Sequence, residues 1–373
     1  MVAPDLAALI RDKKVIVCCG AGGVGKTTTS AALGLAAAKQ GRRVLVLTID
    51  PARRLAQAMG IHESMREPTQ VPLARLREAG VEAGTLDAWM LNPDVVFESL
   101  VRRMAKTQEQ ADRILDSRLF RHLSELVAGM QEYTAAEALF ELSSSGKYDL
   151  VVLDTPPSRN ALDFLEAPGK LARFLDERIL NLFLPSKRRG LFRRASELIG
   201  TVFTKVFGGE FFAEIQEFLS AFGGMFGPMR LHAEGVRALL SSNEAAFILV
   251  ASPDQAALSD ARYFRDRILE MGLPFAGFVL NRSWVRTDGF IEPDAISLEV
   301  GAPEAAKTGL AKLTELAHIE LGRVTRDRAL LKQLASEVPA SAFAVAAPYL
   351  GEAIEDLKGL IAFARGITEV PSR

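Results

Sequence analysis

The chain of 373 residues is poor in cysteine: it has two, Cys18 and Cys19, and they are adjacent. Neighbouring residues on a strand point to opposite faces, so this pair does not form a routine structural disulfide. No uninterrupted apolar run reaches the roughly 18 residues that a membrane-crossing helix needs. The N-terminus lacks a basic region followed by an apolar stretch, so no secretory signal is expected. A reduced, cytoplasmic protein is the expectation. Charge of one sign is also lacking: 45 basic and 46 acidic side chains leave a net charge of −1. Nothing global therefore argues for a nucleic-acid partner. No internal repeat and no long low-complexity linker is visible.

What is present is an ordinary folded composition, 49% hydrophobic and 24% charged. Short apolar runs alternate with helical patterns. Val15–Cys19 reads as a buried strand, followed by a glycine-rich turn and an Ala/Leu-rich helix from about Thr27 to Gln40, stopped by Gly41. Further strands are expected at 44–48, 86–90, 150–154, 246–251, 275–280 and 342–346. Near-continuous apolar strands alternating with helices imply a doubly wound, mainly parallel α/β sheet covered on both faces. Two stretches, at about 92–146 and 168–240, are helical in pattern and exceed a minimal alternation. They read as helical insertions forming a subdomain within a single domain spanning 1–373.

Gly20-Ala21-Gly22-Gly23-Val24-Gly25-Lys26-Thr27 fits G-x-x-x-x-G-K-[ST] between a strand and a helix, the setting of a phosphate-binding P-loop. Glycines let the backbone wrap closely, so that the N–H groups of Gly22, Gly23, Val24, Gly25, Lys26, Thr27 and Thr28 face phosphate oxygens. The helix N-terminus adds positive potential. Lys26 is expected to reach the β- and γ-phosphates, and the Thr27 hydroxyl to bind Mg²⁺. Asp154 closes the strand 150–153 where such enzymes hold Mg²⁺. Asp50 follows the strand 44–48 and is placed to orient a water. For Asp154 and Asp50 a helix cap is the alternative reading.

Taken together, GAGGVGKTT, TIDPARRLAQAMG, VVLDTPPSRNALDFLEAP and VLNRS resemble the ArsA family of ATPases, in order, from about residue 14 to 365. That family includes the arsenite-pump ATPase and the targeting factor for tail-anchored membrane proteins. The resemblance implies an ATP hydrolase using ATP and Mg²⁺ that acts on a hydrophobic client, with a MinD- or ParA-like membrane or positioning ATPase, or a nucleotide-binding scaffold with little turnover, as the alternatives. It assigns Asp50 as the water-activating residue of a first switch, Asp154 to a second switch, Asn281 to adenine, and Ala347–Leu350, with Pro348, to the loop covering the base. It implies a homodimer, or a heterodimer with a related ATPase. The guanine-reading pattern Asn-Lys-x-Asp is absent, which independently favours ATP.

The departures are informative. Ala21 stands where the family has a lysine that contacts the partner subunit's nucleotide. Arg53, Arg54 and Arg159 are the candidates to replace it in trans, or are ordinary surface charges. No Cys-x-x-Cys pair exists, so no zinc is expected. Two thiols are too few for an iron–sulfur cluster.

Nine of the 21 phenylalanines lie between Phe183 and Phe226. Leu198, Ile199, Val202, Phe203 and Val206 follow helical spacing, as do Phe211, Ile215, Phe218 and Phe222 beyond Gly208-Gly209. A basic cluster, Lys187-Arg188-Arg189 with Arg193-Arg194, precedes them. Three readings fit: packing within a helical layer or dimer interface, a groove for a hydrophobic client such as a membrane-protein helix, or peripheral membrane contact.

Overall fold

Strands that are apolar along their whole length must be covered on both sides, and this dictates the centre of the molecule. The computed structural model describes residues 6–49, 59, 66–117, 130–156, 204–205, 208–210, 226–286, 303–351, 354 and 356–368. Within them the elements run α1 (Leu6–Asp12), β1 (Val15–Cys19), α2 (Lys26–Lys39), β2 (Arg43–Thr48), β3 (Thr69–Gln70), α3 (Leu73–Glu78), β4 (Thr85–Met90), α4 (Pro93–Met104), α5 (Gln108–Asp116) and α6 (Met130–Ser144). Then follow β5 (Leu150–Asp154), α7 (Phe226–Leu240), β6 (Ala245–Ala251), α8 (Gln255–Glu270), β7 (Phe275–Ser283), α9 (Glu304–Ser336), β8 (Phe343–Pro348) and α10 (Leu357–Thr368).

The strands form one eight-stranded sheet in the order β3-β4-β2-β5-β1-β6-β7-β8. All pairings are parallel except β3 with β4. Each strand expected from the sequence is present, with ends displaced by a few residues at most. β3 was not foreseen: two residues, Thr69 and Gln70, are too few for an apolar pattern.

All five residues of β1 and all seven of β6 are buried. Cys18 packs into the core beneath α1, α2 and α10. Cys19 packs into the opposite core, with Ala135 and Leu139 of α6, Val236 of α7 and Leu258 of α8. The two thiols therefore lie on opposite faces, as the strand period requires, and both are free.

Helix starts follow their caps. Asn92 accepts from the amides of Asp94 and Val95, Thr107 from that of Gln110, and Asp254 from that of Ala257. α4, α5 and α6 fall in the first helical stretch read from the sequence. A buried carboxylate joins them to α7: Glu137 on α6 lies 3.1 Å from Arg103 Nη2 on α4 and 2.8 Å from His232 Nδ1 on α7. The second stretch lies mostly outside the described residues, as do all nine phenylalanines counted there except Phe226.

Burial pushes the thiols of both Cys18 and Cys19 up to about 12, chiefly by desolvation of the thiolate. The expected outcome is that a thiol-selective reagent at pH 8 leaves both unmodified in the native protein and labels both after denaturation. Mass spectrometry of labelled peptides checks it, and rapid native labelling would contradict the packing of β1.

Candidate functional site

The register of the central strands brings the ends of β1, β2 and β5 to one level. Asp154 pairs with Cys18 on one side and Thr48 on the other. The turn Gly20–Gly25 therefore leaves β1 directly above the carboxylate that closes β5.

Two glycines in that turn are required by close approach. A Cβ on Gly20 would sit 2.2 Å from the Val250 carbonyl oxygen of β6. One on Gly25 would sit 2.0 Å from Asn281 Nδ2. Gly25 adopts the left-handed conformation, with φ 96°, and caps α2 without any side-chain acceptor. No side chain at the N-cap therefore competes for the amides at the positive end of the helix. Gly22 and Gly23 are exposed, Val24 is buried, and Thr27 and Thr28 are half-buried.

Three oxygens converge at the foot of the loop. Thr27 Oγ1 donates to Asp154 Oδ2 at 2.6 Å, and Thr48 Oγ1 donates to the same oxygen at 3.0 Å. Asp154 is fully buried. Thr155 Oγ1 donates to the Cys18 carbonyl at 2.8 Å and ties the segment after β5 to β1. Lys26 is 6% exposed, and its Nζ donates to the Ala21 carbonyl at 2.9 Å, across the mouth of the loop. An ammonium, a threonine hydroxyl and a buried carboxylate beside a glycine-rich turn at a helix N-terminus suit a polyphosphate with a hard divalent cation.

On the other side, Asn281 Nδ2 donates to the Val24 carbonyl at 2.7 Å. Asn281 lies at a register shift between β7 and β8, and the next residue, Arg282, takes φ 56°. This irregularity turns the strand where Asn281 meets the loop. Pro348 ends β8 opposite Ser283, and α10 packs so closely on it that a Cβ on Gly366 would meet its ring at 2.9 Å.

The structure therefore brings together Gly22, Gly23, Val24, Gly25, Lys26, Thr27, Thr28, Asp154 and Asn281, and places Pro348 at the far end of the same sheet edge. Asp50, Arg53, Arg54 and Arg159 lie outside the described residues. Asp154 accepts from Thr27 and Thr48 and caps no helix in the described residues. Sequence reasoning missed Thr48. Its signal was present, a hydroxyl closing the strand next to Asp154, but choosing it requires the β2–β5 register.

Among known proteins, a family model for anion-transporting ATPases, ArsA, matches residues 13–285. The chain is 29% identical over 219 residues to the ATPase ASNA1 homolog 1 of Paramecium tetraurelia, covering 55% of this chain and 61% of that protein. It is 32% identical over 174 residues to the ATPase GET3 of Malassezia globosa, covering 46% and 48%. It is 34% identical over 166 residues to the uncharacterized protein SCO2128 of Streptomyces coelicolor, covering 43% and 39%. The chain thus spans about half the length of the curated relatives it matches. The match of the family model ends before β8, so the loop after Pro348 stands outside it. Over the matched stretch, which holds the phosphate loop, Asp154 and Asn281 on the sheet just described, the chain belongs to the anion-transporting ATPase (ArsA) family.

Proposed function

We propose that the chain hydrolyses Mg·ATP and uses nucleotide binding and hydrolysis to take up or deliver a hydrophobic client such as a membrane-protein helix. The observation that carries the first half is the convergence of Lys26, Thr27 and Asp154 at the loop from Gly20 to Thr28. On this reading the loop amides and Lys26 hold the phosphates, and in doing so Lys26 exchanges the Ala21 carbonyl for a phosphate oxygen. Thr27 and Asp154 would hold magnesium, Asp154 through water, and the ion would offset charge on the phosphates. Asp50 would orient the attacking water. Thr48 keeps the Asp154 carboxylate in place. Asn281 and Pro348 would receive the base. Ala21, in place of the family's lysine, favours slow turnover or a cation supplied by a second subunit, a homodimer partner or a related ATPase.

The client half rests on apolar surface. Leu313, Leu316 and Ile319 of α9 are 61%, 58% and 51% exposed, and the phenylalanine-rich segment at 183–226 supplies further apolar faces in its sequence. Clustered exposed apolar side chains mark interaction surfaces. The basic cluster at 187–194 would suit a client or lipid headgroups at the membrane surface.

Lys26→Ala is expected to lower Mg·ATP hydrolysis by roughly a hundredfold or more, measured as phosphate release. Equal turnover in the two proteins would end the hydrolase reading. Asp154→Asn is expected to raise the magnesium concentration for half-maximal activity by about tenfold or more while leaving far-UV circular dichroism unchanged. An unaltered magnesium dependence would remove Asp154 from the metal site. For the client, a fluorescent peptide carrying an apolar transmembrane helix should bind in an anisotropy titration. Replacing Phe211, Phe218 and Phe222 with serine should weaken it about tenfold or more, and unchanged binding would count against the groove.

A further inference from the structure

Asn281 is 5% exposed, and its carboxamide is committed to the phosphate loop: Nδ2 donates to the Val24 carbonyl at 2.7 Å. The contact spans two strands. Asn281 lies on β7, and the loop leaves β1, which stands roughly 10 Å away at the usual strand spacing. The loop crosses that gap over the end of β6, where a Cβ on Gly20 would sit 2.2 Å from the Val250 carbonyl oxygen. Val24 is held at both ends. Its side chain is 2% exposed, in the core with Val250, and its carbonyl faces Asn281. Arg282, the next residue on β7, takes φ 56° and is the one left-handed non-glycine among the described residues. Such a conformation is costly and persists where its surroundings impose it.

Pinning that carbonyl fixes more than one oxygen. A peptide unit is planar and trans, so the Val24 C=O and the Gly25 N–H point in opposite directions. With the oxygen turned to Asn281, the Gly25 N–H is turned to the side of the chain away from it. Gly25 takes φ 96°, a conformation open to glycine because it has no side chain to clash. Main-chain amides grip a phosphate only when they converge on it. The freedom that lets glycine adopt the loop also lets its peptides turn over. A Val24–Gly25 peptide without a partner for its carbonyl is free to present an oxygen where an N–H is needed.

We infer that Asn281 is a positioning residue for the phosphates: it holds the Val24–Gly25 peptide in the orientation that aims the Gly25 amide at the triphosphate. This rests on the phosphate-loop reading of Gly20 to Thr28 and deepens it. It gives Asn281 a task at the phosphate end of the site, separate from the adenine contact that the family resemblance implies.

The test uses the full chain and two probes, the magnesium complexes of ATP and of inorganic tripolyphosphate, which has no base, each titrated by calorimetry. Asn281→Ala removes the donor and is expected to weaken both probes by the same factor, about tenfold, the size of one lost buried hydrogen bond. Asn281→Asp keeps the shape of the side chain and decides the matter should the alanine variant not fold. Its ionised carboxylate has no proton to give the Val24 carbonyl, whereas the protonated acid donates one, and burial brings that protonation into an accessible pH range. Its tripolyphosphate affinity, relative to the unaltered chain at the same pH, should rise about threefold or more between about pH 8 and pH 5.5. The uncharged alanine variant should show a flat ratio, as would a merely structural defect at this position. If Asn281→Ala weakens ATP but leaves tripolyphosphate within about twofold, Asn281 serves the base alone, the positioning role is wrong and the phosphate loop stands. Unweakened binding of both probes, or a flat ratio for Asn281→Asp, also overturns that role. If the unaltered chain binds neither ATP nor tripolyphosphate, both readings fall together.

Discussion

One buried carboxylate oxygen, Asp154 Oδ2, is shared by the hydroxyls of Thr27 and Thr48, and the site depends on it. An ionised carboxylate in a dry core is costly unless hydrogen-bonded, so this arrangement constrains three elements at once. It fixes the first turn of α2 relative to β5 and holds the end of β2 beside both. The segment after β2 carries Asp50, and the segment after β5 begins with Thr155, tied to the Cys18 carbonyl. Any ligand that recruits the Thr27 hydroxyl must redistribute these hydrogen bonds. The starts of both segments are thereby tied to the carboxylate and strand end beneath the loop.

The loop's own geometry is equally over-determined. Gly20 cannot carry a side chain because β6 is against it, and Gly25 cannot because Asn281 is. The same contact that excludes a Cβ at Gly25 brings Asn281 onto the Val24 carbonyl, so the far strand and the phosphate loop are positioned against each other. Lys26, folded back onto Ala21, shows how the ammonium is kept hydrogen-bonded within the loop.

The parts legible from sequence were those whose signal is local. The strands β1, β2, β5 and β6 declared themselves, because burial on both faces leaves few polar positions to interrupt the run, whereas the buried Asp87 breaks that of β4. The phosphate loop was legible because its glycines, lysine and threonine are contiguous, and Asp154 because it closes an apolar strand. Asn281 came from the family resemblance and the structure supplied its contact with Val24. What was not legible depends on register and distance. Thr48 matters only because β2 pairs with β5 one-to-one. Arg323 lies over the ring of Trp284, which stacks on Tyr349, so residues up to 65 positions apart meet, and no periodicity links them. β3 is an edge of two residues, and its pairing with β4 is decided by neighbours rather than by its own composition. Asp50 and most of the phenylalanine-rich stretch fall outside the described residues.

The central claim is that the Thr27 and Asp154 oxygens form one half of a magnesium site whose other half is a triphosphate in the loop. A crystal structure with magnesium and a non-hydrolysable ATP analogue tests this most directly. The account predicts phosphate oxygens against the amides from Gly22 to Thr28, with Thr27 Oγ1 turned from Asp154 to a magnesium ion whose water Asp154 accepts. A nucleotide bound elsewhere, or a loop left empty with the Thr27–Asp154 hydrogen bond intact at saturating analogue, would contradict it.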